Sequence, residues 1–438
     1  MEPEMMTAAG PAFEPASPKR RTMPPEPEYP ALYVHVPFCG GRCAYCDFYS
    51  VAEPGLAPAW LAALAVEIGH YRGLVPGFAS LYLGGGTPSL LAPGEATRLM
   101  ELLREAFVFL PDAEITLEVN PEDAVPEKLA CWRGLGVNRL SLGVQSLHDP
   151  DLGFLGRRHT ARRAREALAA CRRAGFANLG VDLIYALPGQ TEAAWARTLE
   201  EILGHAPEHL SCYQLTVEPG TPLAARQARG EFRPAGEAAE AELFRFTSRF
   251  LEDRGYLHYE ISSFARGEGL TCRHNQAYWR HVPYLGLGPS AHSFAWTPAA
   301  PEDFLRGASS PPLSWTRPAS PLGDPAWRGR RWWNHRSLAD YVREAGRGPP
   351  PVAGGETLSV EQLRLEALML GLRTRLGVPL SLIPPQSPEK SPLADLIAAG
   401  WLTLQGDRVI PTLKGWLLAD RLPGWLCPEN EGDDLPGF

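Results

Sequence analysis

The chain predicts an α/β protein in which a parallel sheet is covered by helices, followed by a smaller, mainly helical C-terminal domain. Three observations carry this expectation. Strand-like and helix-like stretches alternate six times between residues 32 and 254, each strand preceding its helix. At 438 residues and 45% hydrophobic content, the chain can bury a core larger than one average domain. A glycine- and cysteine-rich loop leaves the first strand at the end where a barrel keeps its chemistry.

The elements follow in order. Residues 1–30 are rich in Pro and Glu, hold one short basic run at Lys19-Arg20-Arg21, and lack the apolar centre of a signal peptide, so a disordered leader is expected. Strand-like runs at Leu32–Val36, Ser80–Leu83, Glu114–Val119, Arg139–Gly143, Asn178–Ile184 and His209–Leu215 are short and apolar. Helical spacing of apolar residues marks Pro58–Tyr71, Glu95–Phe107, Pro126–Arg133, Ala161–Ala174, Glu192–His205 and Ala238–Arg254. These units define a barrel domain over 31–265, with Leu257–Phe264 either extending the sheet or opening the next domain.

Residues 266–350 read as a connector. Within it, 295–330 holds seven prolines, from Pro298 to Pro325, and predicts a long irregular insertion. The C-terminal domain, 351–438, begins with a helix from Ser359 to Leu376. A second helix near Ala394, a Trp401–Ile410 hairpin turning at Gly406-Asp407 and a Lys414–Arg421 helix follow. Helices with a small hairpin suit a winged-helix-like module, but nothing basic is concentrated there, so covering a substrate or docking a partner is the expected role.

Composition removes several functions. The net charge of −8 gives no electrostatic reason to bind nucleic acid. No lysine lies between Lys128 and Lys390, which argues against a Schiff-base enzyme with its lysine there, and no GK[ST] phosphate loop occurs. No apolar run reaches the roughly 18 residues of a membrane span. A cytoplasmic location is expected.

The loop Cys39-Gly-Gly-Arg-Cys43-Ala-Tyr-Cys46 places three thiols within eight residues. That spacing suits three irons of a [4Fe-4S] cube, leaving the fourth open to another ligand. A structural zinc site would need a fourth ligand, for which only His35 and Asp47 are near, and three closely spaced thiols could not all form disulfides. Polar groups gather at the strand ends: Tyr33 and His35 share one face, as do Glu118 and Asn120, and the Gly84-Gly85-Gly86-Thr87-Pro88 turn lets backbone approach a ligand. Gln145, Arg157 and Asp182 stand near other strand ends, and a carboxylate such as Asp182 in an apolar run requires a partner.

The cysteine loop, with Tyr33-Val-His35-Val-Pro37-Phe38 before it and Asp47-Phe48 after it, resembles the radical S-adenosylmethionine (SAM) superfamily. Within it, the resemblance is to the branch of oxygen-independent coproporphyrinogen III dehydrogenases and HemW heme chaperones. It covers residues 31 to about 295 through specific motifs and extends more loosely to Asp420. The fold it implies is an open (β/α)6 partial TIM barrel. It also implies a [4Fe-4S] cluster on Cys39, Cys43 and Cys46, whose free iron is chelated by SAM. By resemblance, Tyr33, Gly85, Gly86 and Glu118, with Thr87 in the same turn, meet that SAM. Tyr45, Gln145, Arg157, Asp182 and Thr216 match a second SAM site, and the Gly286-Leu-Gly288-Pro-Ser-Ala291-His292 loop meets the adenine.

Two features separate the branches. Dehydrogenases carry another cysteine two residues after the third cluster cysteine, where this chain has Phe48. The stretch Cys272-Arg273-His274-Asn275-Gln-Ala-Tyr278-Trp279 resembles the H-N-x-x-Y-W motif of the heme chaperones. Imidazole can ligate heme iron and the aromatic residues can lie against a porphyrin, so His274 is the candidate heme ligand. Chemistry alone favours a solvated loop histidine at position 274, and the motif reverses that preference; Cys272 reads as a buried small hydrophobe more readily than as a second soft ligand. Trp332-Trp333-Asn334 reads either as a cavity wall or as core.

The expected function is therefore binding of heme and its transfer to an acceptor apoprotein, with SAM on the cluster and an electron donor if the cluster is reduced. The alternative is radical decarboxylation of coproporphyrinogen III. A zinc-stabilised binding protein is the non-redox third reading.

Overall fold

The computed structural model describes residues 28–299, 313–318, 326–385 and 391–427. Most of the expected leader therefore lies outside the described residues, as do 300–312 and 319–325 of the expected insertion.

Six strands run parallel in chain order: β1 (Ala31–Val36), β2 (Phe78–Gly85), β3 (Phe109–Val119), β4 (Arg139–Gln145), β5 (Asn178–Tyr185) and β6 (His209–Gln214). Their alternation decides what faces where. Leu32, Val34 and Val36 of β1 are fully buried and join Trp60, Leu64 and Ile68 of the helix Ala57–Tyr71 in the main core. Tyr33 and His35, on the other face, line the barrel interior. Each fully buried Leu or Val contributes about 1.5–3 kcal/mol. The helices Pro93–Ala106, Pro126–Gly134, Ala161–Arg173, Glu192–Gly204 and Glu237–Glu252 repeat the arrangement over the following strands.

The sheet continues beyond the six predicted strands on both sides. After β6, the hairpin of β7 (Leu257–Glu260) and β8 (Ser263–Ala265) adds antiparallel through β8. Beside β1 lies β9 (Tyr284–Leu287), parallel to it, followed by the antiparallel strands β10 (His292–Pro298), β11 (Trp327–Asn334) and β12 (Val352–Leu358). The resulting twelve-stranded sheet has β12 and β7 as its edges. Those edges do not pair, so the barrel stays open, as in the partial barrel expected.

The stretch 295–330 is not irregular at its ends. β10 continues through Pro298, which pairs in register with Trp327 at the start of β11. Proline removes one donor, and the end of a strand tolerates that loss. Past β12, the helix Val360–Gly371, capped by Ser359, is shorter than predicted. A Cβ on Gly371 would lie 2.5 Å from Val378 Cγ1, so the chain turns here against β13 (Val378–Pro379). β13 joins the predicted hairpin, β14 (Leu402–Gln405) and β15 (Arg408–Pro411), whose turn places Gly406 at φ +63°. The predicted Lys414–Arg421 helix is instead two short ones, Leu413–Trp416 and Leu422–Leu426. Among the described residues, no helix is long and apolar enough to cross a membrane.

Candidate cofactor site

The cysteine loop is anchored at both ends. Cys39 N donates to Val51 O at 3.0 Å and Val51 N to Pro37 O at 2.7 Å, while Ala44 N reaches Leu155 O at 3.0 Å. Cys39, Cys43 and Cys46 are all half-buried and unpaired. Burial pushes the Cys46 thiol up, and the neighbouring Cys43 and Cys39 add to that shift. Three thiolates held this close are stable only with compensating positive charge, which an iron-sulfur cluster supplies. Arg157 Nη1 stands 3.5 Å from Cys43 Sγ.

Neither sequence-level zinc candidate completes a site. The ring nitrogens of His35 are engaged with Tyr33 OH at 3.1 Å and Tyr49 O at 3.0 Å, and Asp47 is exposed beside Arg42. Among the described residues, no three His, Cys, Asp or Glu side chains, the three loop thiols included, are drawn together around one point. Three thiols without a fourth ligand fit the cluster, which takes one thiolate per iron.

The SAM set predicted at the second and third strands lies against the end of β1, where the cysteine loop begins. Gly85 has φ +108°, and a Cβ there would sit 2.7 Å from the His35 ring; one on Gly86 would sit 2.6 Å from Phe38 O. Only glycine lets the turn approach β1 so closely, and Gly86 N donates to Val36 O at 2.8 Å. Glu118 accepts from Tyr82 OH at 2.9 Å and from Gly85 N at 3.2 Å. Burial pushes its carboxyl up to about 7, with Asp182 adding to the rise and both hydrogen bonds opposing it. Thr87 is buried and accepts from Asn120 Nδ2 at 3.1 Å.

Most of the second predicted set converges as well. Arg157 Nη2 donates to Asn120 Oδ1 and to Gly143 O, each at 2.8 Å, linking β3 and β4 to the cluster loop. Tyr45 is half-buried against Leu155, Ile184, Leu187 and Leu215 and is hydrogen-bonded to Arg157. Asp182 finds the partners it requires: Ser141 Oγ donates at 2.9 and 3.1 Å and Ser211 also bonds to it. Gln145 ends β4 at φ +64°, an uncommon conformation for a residue with a side chain. Thr216 is exposed on the loop after β6 and hydrogen-bonds to none of the others among the described residues.

Comparison with known proteins places this geometry. Residues 33–202 match the Radical SAM superfamily and residues 358–418 the HemN C-terminal domain. A protein named heme chaperone HemW from Mycobacterium tuberculosis is 34% identical over 403 residues, covering 90% of this chain and 94% of that one. The HemW of Synechocystis is 34% identical over 389 residues, covering 86% and 87%. This chain belongs to the HemW family of radical SAM proteins. Among solved structures, the radical SAM enzyme coproporphyrinogen III oxidase (HemN) of Escherichia coli matches with a TM-score of 0.71 and 26% identity, over 92% of this chain and 91% of that one. A [4Fe-4S] cluster and SAM are the cofactors of the superfamily, and the cysteine loop fits them.

The segment that resembles the heme-chaperone motif lies elsewhere. His274 is on the helix Arg273–Trp279, not on a solvated loop, and is 1% exposed. Its ring bonds Ser80 Oγ at 3.1 Å through Nδ1 and Tyr278 OH at 2.8 Å through Nε2, and it stacks on Tyr82 with centroids 5.0 Å apart. Burial, helped by Arg139, pulls its pKa down to about 3. Ser80 pairs with Ala31 at the N-terminal ends of β1 and β2, about 17 Å of strand below Gly85. The helix Arg273–Trp279 therefore closes the floor of the barrel, at the end opposite the cysteine loop.

Glu114 fixes that floor. It accepts from the backbone N–H groups of Arg273 and His274, both at 3.1 Å, and stands 3.9 Å from buried Arg139. Cys272 is buried with its thiol 3.6 Å from Glu114, and burial pushes that thiol up to about 12. Sequence reading missed Glu114, although its four-residue spacing from Glu118 places both on one strand face. Of the Trp332-Trp333-Asn334 run, Trp332 is core, its Nε1 donating to Tyr71 OH at 3.0 Å, whereas Trp333 lies beside His292, which is exposed. Asn334 donates to fully buried Glu67, a second residue that sequence reading missed.

Proposed function

We propose that this chain is a cytoplasmic heme chaperone, which binds heme and passes it to an acceptor apoprotein while carrying SAM on a cluster held by Cys39, Cys43 and Cys46. The observation that carries this reading is the likeness to proteins named heme chaperone HemW over nearly their whole length. Phe48 supports it. This side chain is 70% exposed just past the cluster loop, where the dehydrogenases of the resemblance carry a cysteine.

The cluster and SAM, when bound, supply an electron-accepting sulfonium next to a reducible centre. The chain's own residues shape the space around it. Glu118 and Arg157 hold the loops after β2, β3 and β4 in register with the cysteine loop. An electron donor is a partner only if the cluster is reduced. His274 enters the proposal as a ligand reached when the floor helix swings away from Glu114 and Ser80, since both its ring nitrogens are occupied while the helix is docked.

One observation favours a second reading. The backbone matches an enzyme, HemN, over 92% of the chain, so oxygen-independent coproporphyrinogen III dehydrogenation is the alternative. Heme delivery tests the first reading. The heme-loaded chain is mixed with an apo-b-type cytochrome, and the partners are separated and assayed for heme. Transfer at a rate above that from an unrelated heme-binding protein is expected; a chain that cannot be loaded, or that retains all its heme, would sink the proposal.

A further inference from the structure

The strands beyond β1 carry the barrel's inner face out past its rim. Residues opposite one another in a sheet share a face, and the register pairs Tyr33 with Gly286, Tyr284 with Phe294, His292 with Trp333, and Trp333 with Gly354. Alternation along β9 and β10 completes the chain of neighbours. The face that turns Tyr33 into the barrel therefore also bears His292 and Trp333.

The lower part of this extended face is filled. Phe294, Trp296, Leu358 and Leu363 pack there in one cluster under the helix Val360–Gly371. The upper part is open. β9 runs parallel to β1, so β10 starts at the barrel mouth, and Gly288 lies so near that an added Cβ would sit 2.5 Å from His35 O. There His292 is exposed and Trp333 half-exposed, their ring centroids 6.0 Å apart and their planes inclined at 31°. Gly354 makes the space for the indole, since a Cβ on it would lie 2.7 Å from the Trp333 ring.

His292 differs from the other histidines of the interior. His35, near the mouth, and His274, at the floor, each use both ring nitrogens, and His209, fully buried on β6, uses Nε2 on Tyr259 OH and is closed to a ligand. Among the described residues, no hydrogen bond takes either ring nitrogen of His292. Partial enclosure and the nearby Arg331 hold its pKa below the ordinary imidazole range, so at neutral pH it is the uncharged, ligating form. Arg331 is itself engaged by Glu356 at 2.7 Å and Glu366 at 3.0 Å. A neutral imidazole beside an indole, facing open space, suits a flat apolar ligand carrying a metal that accepts nitrogen.

The geometry points to His292 as an axial ligand for an iron porphyrin bound at the barrel mouth in the SAM-free protein, with Trp333 as its side wall; because the resemblance assigns the Gly286–His292 loop to the adenine, heme and SAM exclude one another there. This site rests on the heme-chaperone reading. It gives the molecule an accessible iron ligand while the His274 helix stays docked, at the same end of the barrel as the cluster loop.

Hemin is titrated anaerobically into the cluster-reconstituted wild type and into the variants His292→Ala, Trp333→Ala and His274→Ala. The Soret band and the electron paramagnetic resonance spin state are recorded, and iron and labile sulfide per chain check the fold of each variant. His292→Ala is expected to weaken hemin about ten-fold or more and to shift the Soret band. Trp333→Ala should weaken hemin without moving the band. Metal-free protoporphyrin IX, which has no iron to ligate, should bind wild type and His292→Ala alike. A His292→Ala protein that titrates like wild type with an unmoved band overturns the inference and leaves the chaperone reading standing. A wild type that binds no hemin removes both.

Discussion

Glu67 provides the most demanding test of how the second half of the sheet is held to the first. It lies on the helix Ala57–Tyr71 with no exposed surface and accepts three hydrogen bonds, from Tyr341 OH at 2.6 Å, Asn334 Nδ2 at 2.6 Å and Gly288 N at 2.9 Å. One carboxylate thus ties the first barrel helix to the β9–β10 loop, the end of β11 and the helix Leu338–Ala345. Glu67→Ala strands three buried donors at about 1–3 kcal/mol each, so a loss of about 3–9 kcal/mol is expected. Glu67→Gln keeps one acceptor oxygen but turns an amide NH2 toward donors, and should lose about 1–3 kcal/mol. Urea unfolding of the apo protein, compared by midpoint and slope, measures both.

The pH dependence has a definite sign. Burial pushes the Glu67 carboxyl from 4.5 up to about 7, against the pull of its three hydrogen bonds. Between those values the native state keeps a proton that the unfolded state has released. Stability therefore falls as pH rises through that window, by at most about 3 kcal/mol, and is level above it. Glu118 contributes a slope of the same sign and remains in the Gln variant, so the quantity to compare is the difference between the wild-type and Glu67→Gln profiles. A Glu67→Ala protein that unfolds at the wild-type urea concentration would refute the network. Parallel pH profiles would refute the raised pKa.

Three further outcomes are expected. Ser at Cys39, Cys43 or Cys46 should abolish reconstitution of iron and labile sulfide, whereas Cys131→Ser, a half-buried thiol on the helix Pro126–Gly134, should leave both at wild-type levels. Gly85→Ala places a Cβ at φ +108° and 2.7 Å from the His35 ring, so a destabilisation of at least about 1–2 kcal/mol and weaker SAM binding should follow in melting and calorimetric assays. Arg157→Ala leaves Asn120 Oδ1 and Gly143 O without their donor; calorimetry should show weaker SAM binding, with Arg157→Lys recovering only part because it lacks the planar fork.

The six β/α units were legible because each strand is a short apolar run and each helix carries its own stripe, both local signals. The cysteine loop was legible for the same reason, with all three thiols within eight residues. The strands β9 to β12 were not. They are separated by proline-rich stretches, two of them contain glycine pairs or arginines, and their pairing is long-range, as between Pro298 and Trp327. His274 sits in a segment, Arg-His-Asn-Gln-Ala-Tyr-Trp, whose polarity suggests a surface. Its burial is decided by Glu114, Arg139 and Ser80, which come from three different strands. Glu67 interrupts an apolar helix face, and only the three donors brought to it from residues 288, 334 and 341 explain a carboxylate there. His292 could be assigned to its motif from sequence, but its side chain's face depends on a register running through three strands, β1, β9 and β10.

Under the proposed function this barrel carries heme and does not decarboxylate coproporphyrinogen, and one anaerobic preparation with its cluster reconstituted can test that. Hemin is titrated by absorbance while SAM-dependent turnover of coproporphyrinogen III is assayed on the same sample. Saturation with a stable Soret band and no loss of CO2 is the predicted result. Conversion of coproporphyrinogen coupled to 5'-deoxyadenosine, without heme binding, would contradict it and make this chain the dehydrogenase.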